Sequence, residues 1–255
     1  MNFLRDLLFP IFRLIRNFLE FLIRIGRIIK FYILPPIEKK RNLIEDSYDI
    51  FERTEIERSY KNFQDYFLQA LFIDSKKINI YALNKALENN NIEKSFYLEF
   101  GVFRGDSINS FSKILSNYNN KIYGFDSFQG LKEDWVGTDV QRGHFDLGGK
   151  IPKLNNNVIP IKGWVQDTLP NFLEKNNPLI NFIHIDLDTY SSTKFVLEKV
   201  KPYLQKGAIL LFNEFYNYPG WSVGEYKAFS EVFNKNEYNI VAFSKHGWET
   251  VVRIN

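Results

Sequence analysis

The chain of 255 residues contains no cysteine. That excludes disulfides, thiolate nucleophiles and zinc sites built on Cys, and it fits a reducing cytoplasm. Long apolar runs are missing as well. In the first 40 residues the longest uncharged stretch is Phe31 to Ile37, seven residues, against the roughly 20 that a bilayer-spanning helix needs. A secretory signal is not expected, because Arg13 and Arg16 interrupt the apolar region and no small-residue cleavage site follows. A strong charge of one sign is also absent: the net charge of +3 is too small to argue for nucleic acid. What basic excess there is lies at the start, where residues 1–40 carry eight Lys/Arg against three Asp/Glu, leaving about −2 for everything after them. With 45% apolar and 25% charged residues, disorder is excluded and a sizeable core is expected. The length suits one large α/β domain with an appendage.

Three zones follow from the patterning. In residues 1–40, Arg13, Arg16, Glu20, Arg24 and Arg27 share one arc of a helix, while Leu14, Ile15, Phe18, Leu19, Leu22, Ile25 and Ile29 cover a broad apolar face. This predicts an amphipathic helix, bent near Pro10 and ended by Pro35 and Pro36, followed by a linker. Its apolar face suits peripheral contact with an anionic membrane through residues 1–34, on the inner face if the chain is cytoplasmic, or packing on a partner subunit of a homo-oligomer. Residues 41–94 read as a helical cap, with Phe63, Phe67, Ala70 and Leu71, then Ile80, Leu83 and Leu87, at helical spacing. From residue 95 to 255, short apolar runs alternate with helical segments, the pattern of βαβ units and a mostly parallel sheet. Strands are predicted at Phe96–Phe100, Lys121–Phe125, Val158–Lys162, Ile180–Leu187 and Ala208–Phe212. Tyr238–Ser244 and Trp248–Ile254, joined at Lys245-His246-Gly247, are expected to form an antiparallel hairpin at the sheet edge.

Chemistry-bearing residues sit at the ends of these strands. Glu99-Phe-Gly101-Val-Phe-Arg-Gly105-Asp-Ser107 occupies a strand-to-helix turn, where small residues let a ligand approach the backbone and a helix N-terminus offers free N–H groups. The dinucleotide fingerprint G-x-G-x-x-G is not met, because Phe103 stands at its second glycine. A packing turn that needs two glycines is the alternative. Asp126, at the end of the next predicted strand, is placed to accept both hydroxyls of a ribose, with a turn or cap role for Asp126-Ser127 as the alternative. Asp186 and Asp188, two apart, point the same way from a pleated strand, and Asn213 and Glu214 emerge from the neighbouring strand at the same crevice. Four hard oxygen donors converging there suggest Mg²⁺ or a similar ion; otherwise Asp188 is a helix N-terminal carboxylate and Glu214 a solvated turn residue. His184 is expected to be a hydrogen-bonded strand residue.

Four ordered motifs carry a resemblance: Tyr97-Leu-Glu99-Phe-Gly101-Val-Phe-Arg-Gly105; Gly124-Phe-Asp126-Ser-Phe-Gln-Gly130-Leu; Ile183-His-Ile-Asp186-Leu-Asp188-Thr-Tyr-Ser-Ser; and Tyr218-Pro-Gly-Trp221. From about residue 60 onward the chain resembles the macrocin O-methyltransferase family of macrolide-sugar O-methyltransferases. The resemblance implies a class I methyltransferase, Rossmann-like, with a seven-stranded α/β sheet, mostly parallel and ending in an antiparallel hairpin, that binds S-adenosylmethionine and uses Mg²⁺. It implies that Glu99, Gly101, Gly105 and Ser107 line the methionine and ribose side of the cofactor, with Asp126 on the ribose hydroxyls and Ser127 beside it, and Gly163 and Trp164 near the adenine. The metal positions fall on Asp186, Asn213 and Glu214, and the base on Asp188. One departure is that the family usually has Asp where this chain has Asn213, although an amide oxygen can still coordinate. The expected activity is methyl transfer to a hydroxyl of a sugar or glycosylated molecule, with no nucleic acid partner. Leu131 to Pro152 is long for a βα connection and reads as an acceptor lid. Rival readings are a nucleotide-dependent oxidoreductase, disfavoured by Phe103, and a membrane-associated interaction protein on an inactive methyltransferase scaffold, which Asn213 favours.

Overall fold

The computed structural model describes residue 18, residues 46–89 and residues 92–255. The chain divides into two units, Met1–Tyr48 and Asp49–Asn255. The expected amphipathic helix over residues 1–34 and its Pro35-Pro36 stop lie outside the described residues, residue 18 excepted. Among the described residues, no helix is long and apolar enough to cross a membrane.

Among residues 46–89 and 92–255, the helices and strands, in chain order, are α1 (Ser47–Phe67), β1 (Leu71–Asp74), α2 (Ser75–Ala86), β2 (Ser95–Phe100), α3 (Asp106–Leu115), β3 (Ile122–Asp126), β4 (Val158–Lys162), α4 (Val165–Asn176), β5 (Leu179–Ile185), α5 (Tyr190–Val200), β6 (Leu204–Phe212), α6 (Glu225–Val232), β7 (Tyr238–Lys245) and β8 (Thr250–Ile254). They build one sheet of eight strands in the order β1-β7-β8-β6-β5-β2-β3-β4. The ladders are parallel except where β8 pairs with β6 and with β7. The seven predicted strands are all present, but the sheet has an eighth, β1, within the stretch expected to be helical. β1 pairs in parallel with β7, Leu71 opposite Ala242. The hairpin is therefore interior to the sheet, and β1 forms the edge in its place. Leu71 and Phe72 are 56% and 42% exposed, so β1 shows neither the alternation of a half-buried strand nor the apolar run of a central one.

The central strands read as nearly continuous apolar runs because helices cover both of their faces. Successive residues alternate between two cores: Leu98, Phe100, Ile183, Ile185, Leu210 and Phe212 face α4, α5, α6 and Phe63 of α1. Tyr97, Phe182, Ile209 and Leu211 face α2 and α3. On α3 the buried residues Ile108, Phe111, Ser112 and Leu115 recur at three- and four-residue steps, one stripe facing the sheet. Phe63 anchors α1 with ring centroids 4.9 to 6.0 Å from Phe215, Tyr216, Trp221, Tyr226 and Phe243. The chain runs β2, β3, β4 to one side and then returns to place β5 on the other side of β2. Strand order thus reverses at the β2/β5 boundary, where open α/β sheets form their ligand crevice.

Candidate active site

A cavity of about 330 Å³ opens at the C-terminal ends of β2 to β6. Its floor begins at the turn after β2. Gly101 has φ +88°, and a Cβ there would stand 1.7 Å from the carbonyl oxygen of Asp186. The two strands approach so closely that only glycine fits, and the same approach lets Asp186 N donate to Phe100 O at 2.9 Å. Gly101 N donates to Phe125 O at 3.0 Å, which ties the turn to β3 as well.

Asp126 lines the cavity and also builds it. Its Oδ2 accepts the backbone N–H groups of Val102 and Phe103, both at 2.8 Å, and its Oδ1 accepts that of Phe128 at 2.7 Å. The residue expected on a ribose therefore holds the glycine turn in shape, and three of its roughly four acceptor positions are used. Phe103, clamped in this way, adopts φ 45° and presents its ring to the cavity. Ser127, whose Oγ accepts Gln129 N at 3.0 Å, lines the cavity, as do Gly163 and Trp164. Lys132 Nζ lies 4.7 Å from the Trp164 ring centroid.

Glu99, Gly105 and Ser107 lie outside the lining. Glu99 is fully buried; its Oε1 accepts the Ser107 hydroxyl at 2.9 Å and its Oε2 pairs with His184 Nδ1 at 3.1 Å. Burial raises the Glu99 pKa, which the His184 contact partly offsets. For His184, burial pulls the pKa down, and the hydrogen bond and charge of Glu99 more than offset it, leaving it raised. His184 is thus the hydrogen-bonded strand residue that was expected. This pair joins β2 to β5 directly beneath Asp186. Gly105, at φ +85°, faces Leu154, whose Cδ2 would be 2.7 Å from an added Cβ.

The acidic residues do converge. Carboxylate oxygens of Asp186, Asp188 and Glu214 all lie within 4.8 Å of one another. Burial and the neighbouring carboxylates push Asp186 up to about 6 and Asp188 up to about 8; in Asp186, His184 pulls the other way. Burial raises Glu214 well above the usual carboxylate range, and Asp186, Glu225 and Asp188 raise it further. Asn213 bridges the group: its amide donates to Asp186 Oδ1 at 3.3 Å and to Glu214 Oε1. Glu214 Oε2 is buried with no hydrogen-bond partner. Asp188 is held at φ 60°, a strained conformation for a non-glycine residue that persists only where the surroundings impose it.

Leu131, Lys132, Trp135 and Phe145, from the segment read as an acceptor lid, line the cavity; sequence reasoning missed Phe103, Thr189 and Ser192 as lining residues. It also missed Glu225, fully buried, which touches both acidic arms. The segment after β3 folds over the cavity as a narrow loop, with Leu131 N donating to His144 O at 3.0 Å and Gly143 N to Leu131 O at 2.9 Å. It docks on the loop after β6: a Cβ on Gly137 would stand 2.4 Å from Gly220 Cα.

A family model described as "Methyltransferase domain" matches residues 98–215, the span from β2 to the acidic residues after β6. No curated protein matches. Among solved structures, that of CalS11, calicheamicin methyltransferase, is 21% identical and covers 83% of this chain and 94% of its own, with a TM-score of 0.57. The apo structure of CalS11, described as TDP-rhamnose 3'-O-methyltransferase, gives 20% identity, 83% and 96% coverage and a TM-score of 0.52. The O-methyltransferase NovP gives 17% identity, 70% and 80% coverage and a TM-score of 0.52. These likenesses establish a methyltransferase-type Rossmann-like fold.

Proposed function

We propose that this domain transfers the methyl group of S-adenosylmethionine to a hydroxyl of a sugar or glycosylated small molecule, assisted by a divalent cation. The observation that carries the reading is the convergence of three carboxyls, half-buried Asp186 and buried Asp188 and Glu214, at the mouth of a cavity whose other wall suits an adenosyl group. That wall combines apolar surface from Phe103, Leu131 and Trp164 with the polar groups of Asp126 and Ser127. The acceptor class is supported by the sugar and natural-product methyltransferases named above, whose fold this chain shares.

The donor set fits a divalent cation. Glu214 Oε2 is buried without a partner, and three carboxyls within 4.8 Å need either protons or a cation to coexist. Asp186 and Glu214 would hold the ion, with Asn213 contributing its amide oxygen once the side chain turns. When bound, S-adenosylmethionine supplies an electrophilic sulfonium methyl, and the cation supplies a Lewis acid that lowers the pKa of a hydroxyl. The chain's own contribution is positioning and proton handling. Gly101 and the Asp126-pinned turn set the cofactor wall. The loop 131–152, through Trp135 and Phe145, covers the cavity, excludes water and orients the acceptor. Asp188 takes the acceptor proton at a carboxylate oxygen, in the ionised form that a neighbouring cation favours. Residues 95–255 carry the chemistry, and the expected cap before them instead contributes the edge strand β1 and the sheet-covering helix α2 to the same fold.

The test is a thermal-shift series on the full chain with S-adenosylmethionine and with NAD, each with and without Mg²⁺. A ligand that binds only the folded state raises the melting temperature. Stabilisation by S-adenosylmethionine alone is expected; stabilisation by NAD instead would overturn the reading.

A further inference from the structure

Glu225 is the first residue of α6 and is fully buried. Its carboxylate does not point along its own helix but reaches back to the two chain segments that carry the acidic cluster. Glu214 N donates to Oε2 at 3.1 Å, and Leu187 N donates to Oε1 at 3.5 Å. Leu187 lies between Asp186 and Asp188, and Glu214 follows Asn213. Where β5 and β6 end, strand-type bonds still hold Asp186 N to Phe100 O at 2.9 Å and Asn213 N to Ile185 O at 3.0 Å. One residue further along each arm, the partner is the Glu225 carboxylate. A single rigid group thus spans both arms just where the sheet stops dictating their separation.

Glu225 is fully buried, so its oxygens must find their partners inside the fold, and the two backbone N–H groups are those partners. The start of α6 favours an acid there, but a dipole alone does not require a side chain aimed at two other loops. A carboxylate accepts two N–H groups from different directions at once, whereas an amide offers one acceptor and one donor.

We infer that Glu225 is a positioning residue: it sets the distance between the Asp186/Asp188 arm and the Asn213/Glu214 arm, and thereby the geometry of the cation site. The inference rests on the metal reading under Proposed function. Glu225 itself touches no reacting atom.

The test uses the full chain as Glu225→Gln and Glu225→Ala, with Mn²⁺ and S-adenosylhomocysteine as separate calorimetric probes. Glu225→Gln is expected to weaken Mn²⁺ at least 10-fold and Glu225→Ala more, while S-adenosylhomocysteine affinity stays within twofold, because its wall is built from β2, β3 and β4. Unchanged Mn²⁺ affinity in a folded Glu225→Gln chain would overturn the assignment, and so would equal weakening of both probes, which marks general damage. If the unsubstituted chain binds no Mn²⁺, the metal reading fails by itself. The positioning role is then judged on the amide resonances of Leu187 and Glu214. Both should shift in both variants while that of Asp186 does not, and unmoved Leu187 and Glu214 amides would overturn it.

Discussion

Raising the pH from 5 to 8 in the presence of a chelator is expected to destabilise the protein, and Asp188 is one of the buried carboxyls responsible. Its pKa is pushed up to about 8 in the folded chain from 3.8, because burial and the neighbouring Asp186 and Asp126 disfavour its ionised form. In this window the unfolded chain has already released that proton and the folded chain has not. The contribution to stability is therefore complete below pH 4, falls as pH rises, and is exhausted above the folded value. The slope is about 1.4 kcal/mol per pH unit for one group. Over three units this amounts to about 4 kcal/mol, roughly 10 °C in melting temperature for a domain of this size. Asp186, pushed up to about 6, and the raised Glu214 act in the same direction. The assay is urea denaturation at pH 5, 6, 7 and 8 in chelator, repeated with millimolar Mg²⁺ and with Asp188→Asn. Asp188→Asn should remove about one proton's worth of slope, and Mg²⁺ should flatten the profile by stabilising the ionised carboxylates. A profile that is flat or rises with pH in chelator would refute the reasoning, since it would mean that these carboxyls are ionised and hydrated in the fold.

Other outcomes follow from the same geometry. Asn213→Asp should tighten Mg²⁺ binding, because a charged oxygen replaces a neutral one, and should steepen the loss of stability with pH in chelator; unchanged Mg²⁺ affinity would separate this position from the cation. Gly101→Ala should abolish S-adenosylhomocysteine binding by calorimetry and lower stability by at least about 1–3 kcal/mol, since the φ of +88° and the 1.7 Å approach to Asp186 both oppose a side chain. Asp126→Ala should weaken S-adenosylhomocysteine roughly 10- to 100-fold, and should also free the N–H groups of Val102, Phe103 and Phe128, visible as faster hydrogen exchange there. Residues 1–34 should confer binding to anionic liposomes, so a chain lacking them should lose co-sedimentation; equal, negligible sedimentation of both would leave protein packing as their role.

The central strands were legible because burial on both faces forces a nearly continuous apolar run, unbroken in Ala208 to Phe212 and interrupted in Ile180 to Ile185 only by Asn181 and His184. β1 was not, because Leu-Phe-Ile-Asp at an edge carries no alternation and its ladder partner lies at the far end of the chain. Gly101 and the Asp186, Asp188 and Glu214 convergence were legible from the strand ends, but not for the reason of pleat parity: β5 stops at Ile185, two residues short of the predicted end, and Asp188 reaches the cluster from a turn at φ 60°. Hydrogen-bond direction was not: no local pattern reveals that Asp126 spends its oxygens on three backbone groups, or that Glu99 turns inward to His184. Glu225 looks like an ordinary acid in a helix's first turn, and only the return path of the loop after β6 brings it to the two arms.

The parallel pairing of β1 with β7 also bears on how the chain is made. Leu71 meets Ala242, so the first strand of this sheet to leave a ribosome waits for one of the last. β8, which links β7 to β6, emerges later still. The contact order of this sheet is accordingly high, and closing it incurs a long-loop entropy cost before any ladder energy returns, which slows folding. Until synthesis ends, Leu71 and Phe72 sit on an uncovered strand with neither proline nor lysine to discourage pairing with another chain. The nascent protein is thus most prone to association just before its C-terminal hairpin is completed.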